Sequence, residues 1–342
     1  MKLLIVFGTR PEWIKIKSLV DILSKQNRIQ FKIVATGQHE ILKNEKILAN
    51  YFLQIKDIII DDRLTNVYIS VMDGISNILR NDKSFTHVLV QGDTTSAVAA
   101  ALSAFYNKVK VIHLEAGLRT YDKENPFPEE VNRRLISEIA DIHLCPTLES
   151  LNNLRSENIT KNAYIVGNTA LDSLLGYKEK CEYDDIILIT MHRRENHDIM
   201  DQWFTELNNL AEKYPYYRFI MPIHPNPNVQ KYKYLLKKIE VVEPLSHENL
   251  LNLLIKCKLV ITDSGGIQEE CSFLNKKCLV CRKTTERPEA LGYTSFLVKE
   301  PSLLQLVFEE HINDYVVNQE SPYGDGKSAE RIMGLFYNRY ID

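Results

Sequence analysis

Lys258-Leu259-Val260-Ile261-Thr262 runs straight into Asp263-Ser264-Gly265-Gly266-Ile267-Gln268-Glu269-Glu270. The first five residues read as a buried strand, and the Ser-Gly-Gly turn leads into a helix. A strand, turn and helix in this order leave backbone N–H groups without helical partners, all aimed at one point. The helix dipole adds partial positive charge there, so the turn suits a phosphate. Glycine lets a diphosphate approach the backbone closely, and a carboxylate one turn on suits ribose hydroxyls. Read alone, the turn is either such a seat or simply a helix start.

Outward from this turn, short β-rich runs alternate with helical patterns. Leu3–Phe7, Phe31–Ala35, His87–Gln91, Val109–His113 and Ile142–Cys145 read as buried parallel strands, with helix-like segments such as Pro11–Ser24 and Ser96–Asn107 between them. The pattern restarts with Ile186–Thr190, Arg218–Pro222, Ile239–Val242, Leu259–Thr262 and Lys277–Val280. The fold class is therefore α/β, with two Rossmann-like doubly wound parallel sheets. The seam is expected at Val166-Gly167-Asn168-Thr169, where Asn and Thr suit a helix cap. This divides the chain into a first domain over 1–167 and a second over 168–325. Ligands of such sheets bind beyond the carboxyl ends of strands, so the active site is expected in the cleft between the domains.

The 342 residues, 44% hydrophobic and 25% charged, suit a globular protein of two ordinary domains. A net charge of −3 and the lack of a basic stripe exclude nucleic acid as a partner. The six cysteines are scattered, unlike a secreted disulfide framework. Cys278-Leu279-Val280-Cys281 has C-x-x-C spacing but lies in a strand-like run with no second pair to face it. The apolar stretch Leu3–Phe7 is too short for a signal peptide, and no run reaches membrane-spanning length. The chain reads as cytoplasmic, with no membrane partner.

Several strand ends carry acids and bases. Gly8-Thr9-Arg10-Pro11-Glu12 sets Arg10 and Lys15 at the mouth of the first sheet, as surface cations or anion ligands. It is not the G-x-G-x-x-G dinucleotide fingerprint. Asp93, in Gln91-Gly92-Asp93-Thr94-Thr95, is a helix cap or an acid/base group. Glu115 ends another strand, and Glu129-Glu130 precede the helix Val131–Ala140, where acids also complement the dipole. Carboxylates clustered at neighbouring strand ends often belong to acid/base machinery. The second half delivers His192 and His224 to strand ends and Arg287 after a late strand. A metal set of His192, Glu195, His197 and His224 is conceivable, but Arg193 and Arg194 argue for an anion instead.

Taken in order, these stretches resemble the non-hydrolysing UDP-N-acetylglucosamine 2-epimerase family. The likeness is carried by GTRPEWIK, TGQH at Thr36–His39, QGDTTS, HLEAGLRT, PFPEEVNRR and VGNTALD. It continues through MHRRE, PIHPNPNV, ITDSGGIQEE, TTERPEA and SPYGDGKSAERI at Ser321–Ile332. The resemblance implies a GT-B arrangement of the two domains, with a C-terminal helix over about 326–342 crossing back onto the first. It gives acid/base or electrostatic roles to Asp93, Glu115, Glu129 and His192. Nucleotide-sugar binding falls to Arg10, Lys15, Arg133, His224, Ser264, Gly265, Gly266, Glu270 and Arg287, with Leu250 beside the base. It implies a UDP-sugar substrate, no cofactor, no metal and a homodimer.

The chemistry so implied is reversible inversion at carbon 2, from UDP-GlcNAc to UDP-ManNAc, for surface polysaccharide precursors. Breaking the bond from carbon 1 to the phosphate oxygen acidifies the carbon-2 proton. Its removal gives UDP and 2-acetamidoglucal, and re-addition with protonation on the other face inverts the centre. The UDP must be retained meanwhile. Three features depart from the family pattern: Leu250 where an aromatic is usual, His247 where Tyr is usual, and Asp61–Asn66 in place of a Met-x-Pro-Gly-Gln stretch. That stretch, with Gln38 and His39, contributes to regulation by UDP-GlcNAc in bacterial relatives. Alternatives are a 2-epimerase of a related UDP-acetamido-6-deoxy sugar, a hydrolysing epimerase releasing ManNAc and UDP, a GT-B glycosyltransferase and an inactive nucleotide-sugar sensor. The GTRPE and HLEAGLRT stretches favour the non-hydrolysing branch.

Overall fold

The computed structural model describes residues 1–38 and 49–339. His39, expected to contribute to regulation, lies outside the described residues. The chain forms two compact units, Met1–Ser173 with Gly326–Asp342, and Leu174–Asp325.

The first unit holds strands β1 (Lys2–Phe7), β2 (Gln30–Ala35), β3 (Tyr51–Phe52), β4 (His87–Gln91), β5 (Lys110–Leu114), β6 (Ile142–Cys145) and β7 (Ala163–Ile165). They form one parallel sheet in the order β3-β2-β1-β4-β5-β6-β7. Its helices are α1 (Arg10–Leu23), α2 (Arg63–Asn81), α3 (Thr95–Tyr106), α4 (Glu129–Ile139) and α5 (Leu148–Ser156). The second unit has β8 (Asp184–Thr190), β9 (Arg218–Pro222), β10 (Glu240–Val242), β11 (Cys257–Thr262), β12 (Lys277–Val280) and β13 (Ser295–Leu297). These pair in parallel as β10-β9-β8-β11-β12-β13. Its helices are α6 (Met200–Lys213), α7 (Pro227–Gln230), α8 (His247–Lys256), α9 (Gly265–Phe273) and α10 (Leu304–His311). The last helix, α11 (Ser328–Arg339), belongs to the first unit.

Strand period decides the layering. Leu3, Ile5 and Phe7 of β1 point to one face, where they pack with Ile16, Leu19 and Leu23 of α1 and Ile332 and Phe336 of α11. Leu4 and Val6 point to the other, against Val67, Val71 and Ile75 of α2 and the alanines of α3. Ala97, Ala99, Ala100, Ala101 and Ala104 are all buried, and their small side chains let α3 lie close to the sheet. In the second unit, Ile187 and Ile189 of β8 pack with Trp203, Phe204 and Leu207 of α6 and Phe308 of α10. Each fully buried aliphatic side chain contributes about 1.5–3 kcal/mol relative to exposure, so these faces pin the strand register. Both strand orders reverse once, between β1 and β4 and between β8 and β11. Those are the switch points at which such sheets bind ligands.

Three expectations shift. The division falls after Ser173, six residues beyond the expected 167, because the 3-10 turn Thr169–Leu174 stays with the first unit as far as Ser173. The Ser18 hydroxyl donates to Thr169 O at 3.4 Å, and Asp172 accepts from Ser328 N (2.9 Å) and Ala329 N (2.7 Å), capping α11. Asn168 does cap this turn, accepting from Ala170 N at 2.9 Å. The strand expected at Val109 starts at Lys110, since Val109 N donates to Ala104 O and still belongs to the exit of α3. The helix expected at Val131 begins at Glu129, with both acids in its first turn. Among the described residues no helix is long and apolar enough to cross a membrane.

Candidate active site

At the β1/β4 switch point the chain leaves β1 through Gly8 and Thr9 into α1. Thr9 and Glu12 form a reciprocal capping box. Glu12 is almost wholly buried and accepts from Gly8 N (2.9 Å) and Thr9 N (2.7 Å) with Oε2, and from the Thr94 hydroxyl (2.7 Å) with Oε1. It thus ties the turn after β1 to the turn after β4. Burial pushes its carboxyl up to about 6, against the pull of these donors. Thr94 in turn caps α3 through Ala97 N at 3.1 Å.

Asp93 sits in that second turn. Arg133 of α4 grips it from Nε at 2.9 Å and Nη2 at 2.7 Å, and Asn132 donates to its carbonyl at 2.8 Å. The same Arg133 reaches the buried Glu130 at 3.0 Å, which also accepts from Thr120 N and Tyr121 N. Arg133, expected to bind substrate, is therefore a buried cation shared by two carboxylates. Beneath Asp93, His113 donates from Nε2 to Gly92 O at 2.8 Å, and burial drives its pKa down to about 3, so it is a neutral prop.

Glu115 follows β5 with φ +66°, a left-handed conformation unfavourable for a non-glycine residue. Lys15 of α1 donates to both its oxygens at 2.6 Å, and Gln91 donates to Oε2. Gly92 packs against it, since a Cβ there would lie 3.5 Å from Glu115 Oε2. Lys15, expected on substrate, is thereby placed on Glu115. Arg10 is the first residue of α1, and Glu129 opens α4, one turn before Arg133, with Oε2 buried.

The β8/β11 switch point is built differently. Asp263, fully buried, accepts from His192 N (2.9 and 3.1 Å), Arg193 N (2.9 Å) and Asn196 Nδ2 (3.1 Å). The His192 ring stacks on His224 from the end of β9, with centroids 4.9 Å apart and planes 15° apart. Burial lowers the pKa of His192, partly opposed by Asp263, and burial also lowers that of His224. Glu195 turns to Arg282 (2.6 Å), and His197 donates to His192 O (3.1 Å). Those four residues do not converge, and among the described residues no group of His, Cys, Asp or Glu is placed to hold a metal ion. All six cysteines are free, and Cys278 and Cys281 are both buried.

Ser264 opens α9 without any capping bond from its side chain. The first helical bond is Gln268 N to Ser264 O, so the N–H groups of Gly265, Gly266 and Ile267 face outward from the turn. Arg287 lies against Gly265, where a Cβ would come within 2.8 Å of its Cζ. The guanidinium is held by Glu269 at 2.6 Å and by Glu286, which also pairs with Arg282 at 2.7 Å. Glu195, Arg282, Glu286, Arg287 and Glu269 thus alternate in sign along one chain. Glu270 is buried; His247 donates to Oε1 at 3.0 Å, while Oε2 has no hydrogen-bond partner among the described residues. Leu250 sits half-buried one turn along α8.

Sequence reasoning gave no role to Glu12, His113 or Asp263, and it did not foresee that Glu130 pairs with Arg133. The T-x-x-E capping-box spacing at Thr9–Glu12 was a readable signal for the first; nothing local marks Asp263.

A family description, UDP-N-acetylglucosamine 2-epimerase, matches residues 21–336. A UDP-N-acetylglucosamine 2-epimerase of Campylobacter jejuni is 39% identical, over 98% of this chain and 97% of that protein. One of Neisseria meningitidis is 39% identical, over 97% of this chain and 98% of its own. The crystal structure of a Neisseria meningitidis UDP-GlcNAc 2-epimerase bound to UDP-GlcNAc superposes with a TM-score of 0.91 at 37% identity, covering 99% of this chain and 100% of that one. A Methanocaldococcus jannaschii UDP-GlcNAc 2-epimerase in complex with UDP-GlcNAc and UDP gives 0.85 at 33%, covering 99% and 100%.

Proposed function

Because this chain belongs to the UDP-N-acetylglucosamine 2-epimerase family, we propose that it interconverts UDP-GlcNAc and UDP-ManNAc by eliminating UDP and adding it back. The observation that carries this reading is the uncapped start of α9, with the Arg287 guanidinium beside it and an unpartnered carboxylate oxygen of Glu270 one turn on. Three outward N–H groups and a guanidinium suit a diphosphate. The free Glu270 oxygen suits a ribose hydroxyl, a donor that would repair a buried orphan acceptor. Relatives captured with UDP-GlcNAc or UDP support the same ligand class.

In this reading the C1–O bond breaks with its electron pair leaving on the diphosphate. The carbon-2 proton passes to a base, and C1=C2 forms. The reverse addition delivers the proton to the other face and returns the phosphate oxygen to carbon 1. Asp93, Glu115, Glu129 and His192 supply the acid/base and electrostatic groups, and His224 helps to hold the leaving diphosphate. Arg133 and Lys15 hold two of those carboxylates in place. The strained φ of Glu115 accords with a group kept for function. The family likeness favours a homodimer, and α2 and α3 expose Leu64, Ile69, Phe105 and Tyr106 as apolar surface on the first unit. A monomer in light scattering at working concentration overturns that last point.

Incubation with UDP-GlcNAc in D2O, followed by proton NMR, tests the reaction. Deuterium at carbon 2 in both UDP-sugars is the expected result. Accumulating free ManNAc indicates hydrolysis instead, and no exchange removes the epimerase reading.

A further inference from the structure

Asp263 belongs to the switch point, where its carboxylate is held by buried donors. It is fully buried, and its partners are the peptide N–H groups of His192 and Arg193 and the amide of Asn196. Asn196 also donates to Cys281 O at 3.0 Å and accepts from Trp203 Nε1 at 3.2 Å, so the network spans the ends of β8, β11 and β12. Across these strands the Thr190 and Thr262 hydroxyls meet at 2.7 Å. The carboxylate oxygen Oδ1 faces His192 Nδ1 at 3.7 Å, just beyond hydrogen-bond length. Asp263 is also the residue before Ser264, so one side chain is anchored at the diphosphate turn and grips the histidine turn.

We propose that Asp263 is a positioning residue for His192: it fixes the loop that carries the imidazole and selects the tautomer protonated on Nδ1, leaving Nε2 to exchange a proton. This rests on the epimerase reading for the role of His192, but not for the tautomer. A carboxylate at 3.7 Å favours N–H over a lone pair on the nitrogen that faces it, and a small ring rotation closes the gap to a hydrogen bond. The stacked His224 ring, 4.9 Å away and tilted by 15°, packs one face of the imidazole and so restrains its orientation. Which nitrogen of a neutral imidazole carries the proton is set by the partners around the ring, and here the carboxylate faces Nδ1.

The test labels the histidine rings with 15N and records their spectra near pH 8, where the lowered pKa of His192 leaves it neutral. His192→Gln identifies the resonance. The expected wild-type spectrum shows His192 protonated on Nδ1, and Asp263→Asn turns it into a tautomer mixture. In turnover assays Asp263→Asn lowers kcat about 100-fold, at the low end of what a positioned acid/base group supplies. The Kd for UDP stays within about threefold, and the double variant with His192→Gln is no slower than His192→Gln alone. A wild-type His192 protonated on Nε2, or losses that multiply in the double variant, overturns the proposal. Should Asp263→Asn fail to fold, the wild-type spectrum decides by itself. If the wild-type protein shows no carbon-2 exchange, the epimerase reading fails while the tautomer result stands.

Discussion

The two sheets reverse their strand order at equivalent places, but the turns there are filled in opposite ways. At β1/β4 the chain satisfies its own backbone. Glu12 takes the N–H groups of Gly8 and Thr9, Thr9 caps α1, and Thr94 caps α3. At β8/β11 the buried carboxylate, Asp263, reaches across to the neighbouring turn, while Ser264 leaves α9 uncapped. A helix start that holds its own carboxylate repels a second anion; one that holds none attracts it. Under the proposed function, the same fold would provide a proton-handling half, lined by Asp93 and Glu115, and an anion-holding half. Position in the topology marks where ligands go, and the capping residues decide which charge they carry.

The comparison breaks most visibly at Asp93. Asp93→Asn is expected to cut turnover by about 10³-fold, the scale of a positioned acid/base group, and to leave UDP affinity within a few-fold. Loss of UDP binding in calorimetry would erase the division of labour. Next comes Gly265→Ala, which drives a methyl into the Arg287 guanidinium. Losing one or two charge-assisted hydrogen bonds costs about 2 kcal/mol, so UDP is expected to bind about 30-fold more weakly. Unchanged affinity would mean the diphosphate sits elsewhere.

The third prediction concerns Glu12 alone. Its folded pKa of about 6 lies above the ordinary 4.5, so the folded state holds its proton more tightly. Its contribution to stability is full below pH 4.5 and is lost as pH rises through 6, a swing of about 2 kcal/mol. Glu12→Gln cannot titrate. It is expected to be more destabilising at pH 4.5 than at pH 7.5 by about that amount, measured by denaturant unfolding. An equal penalty at both pH values would contradict a buried, proton-retaining carboxyl.

Much of this was legible in the sequence. The β/α alternation and the Ser264-Gly265-Gly266 turn depend on periodicity and local chemistry, and both hold. Asp93, Glu115, His192 and His224 were readable as strand-end residues because a parallel sheet puts such ends together. Partners distant in sequence were not. Arg133 and Lys15 read as cations for a ligand; their pairing with Asp93 and Glu115, 40 and 100 residues away, is not visible in the sequence. Asp263 reads as the last residue before a turn, and its role appears only when β8 is laid beside β11. The division between units also moved, since Asp172 caps a helix 156 residues later.

The most direct measurement follows backbone amides as UDP is added to the 15N-labelled protein. Gly265, Gly266 and Ile267 are expected to show the largest shifts, because their N–H groups face out of an uncapped turn. Gly8 and Thr9, already bonded to Glu12, are expected to move little. Large shifts at Gly8 and Thr9 with Gly265 and Gly266 unmoved would contradict the account.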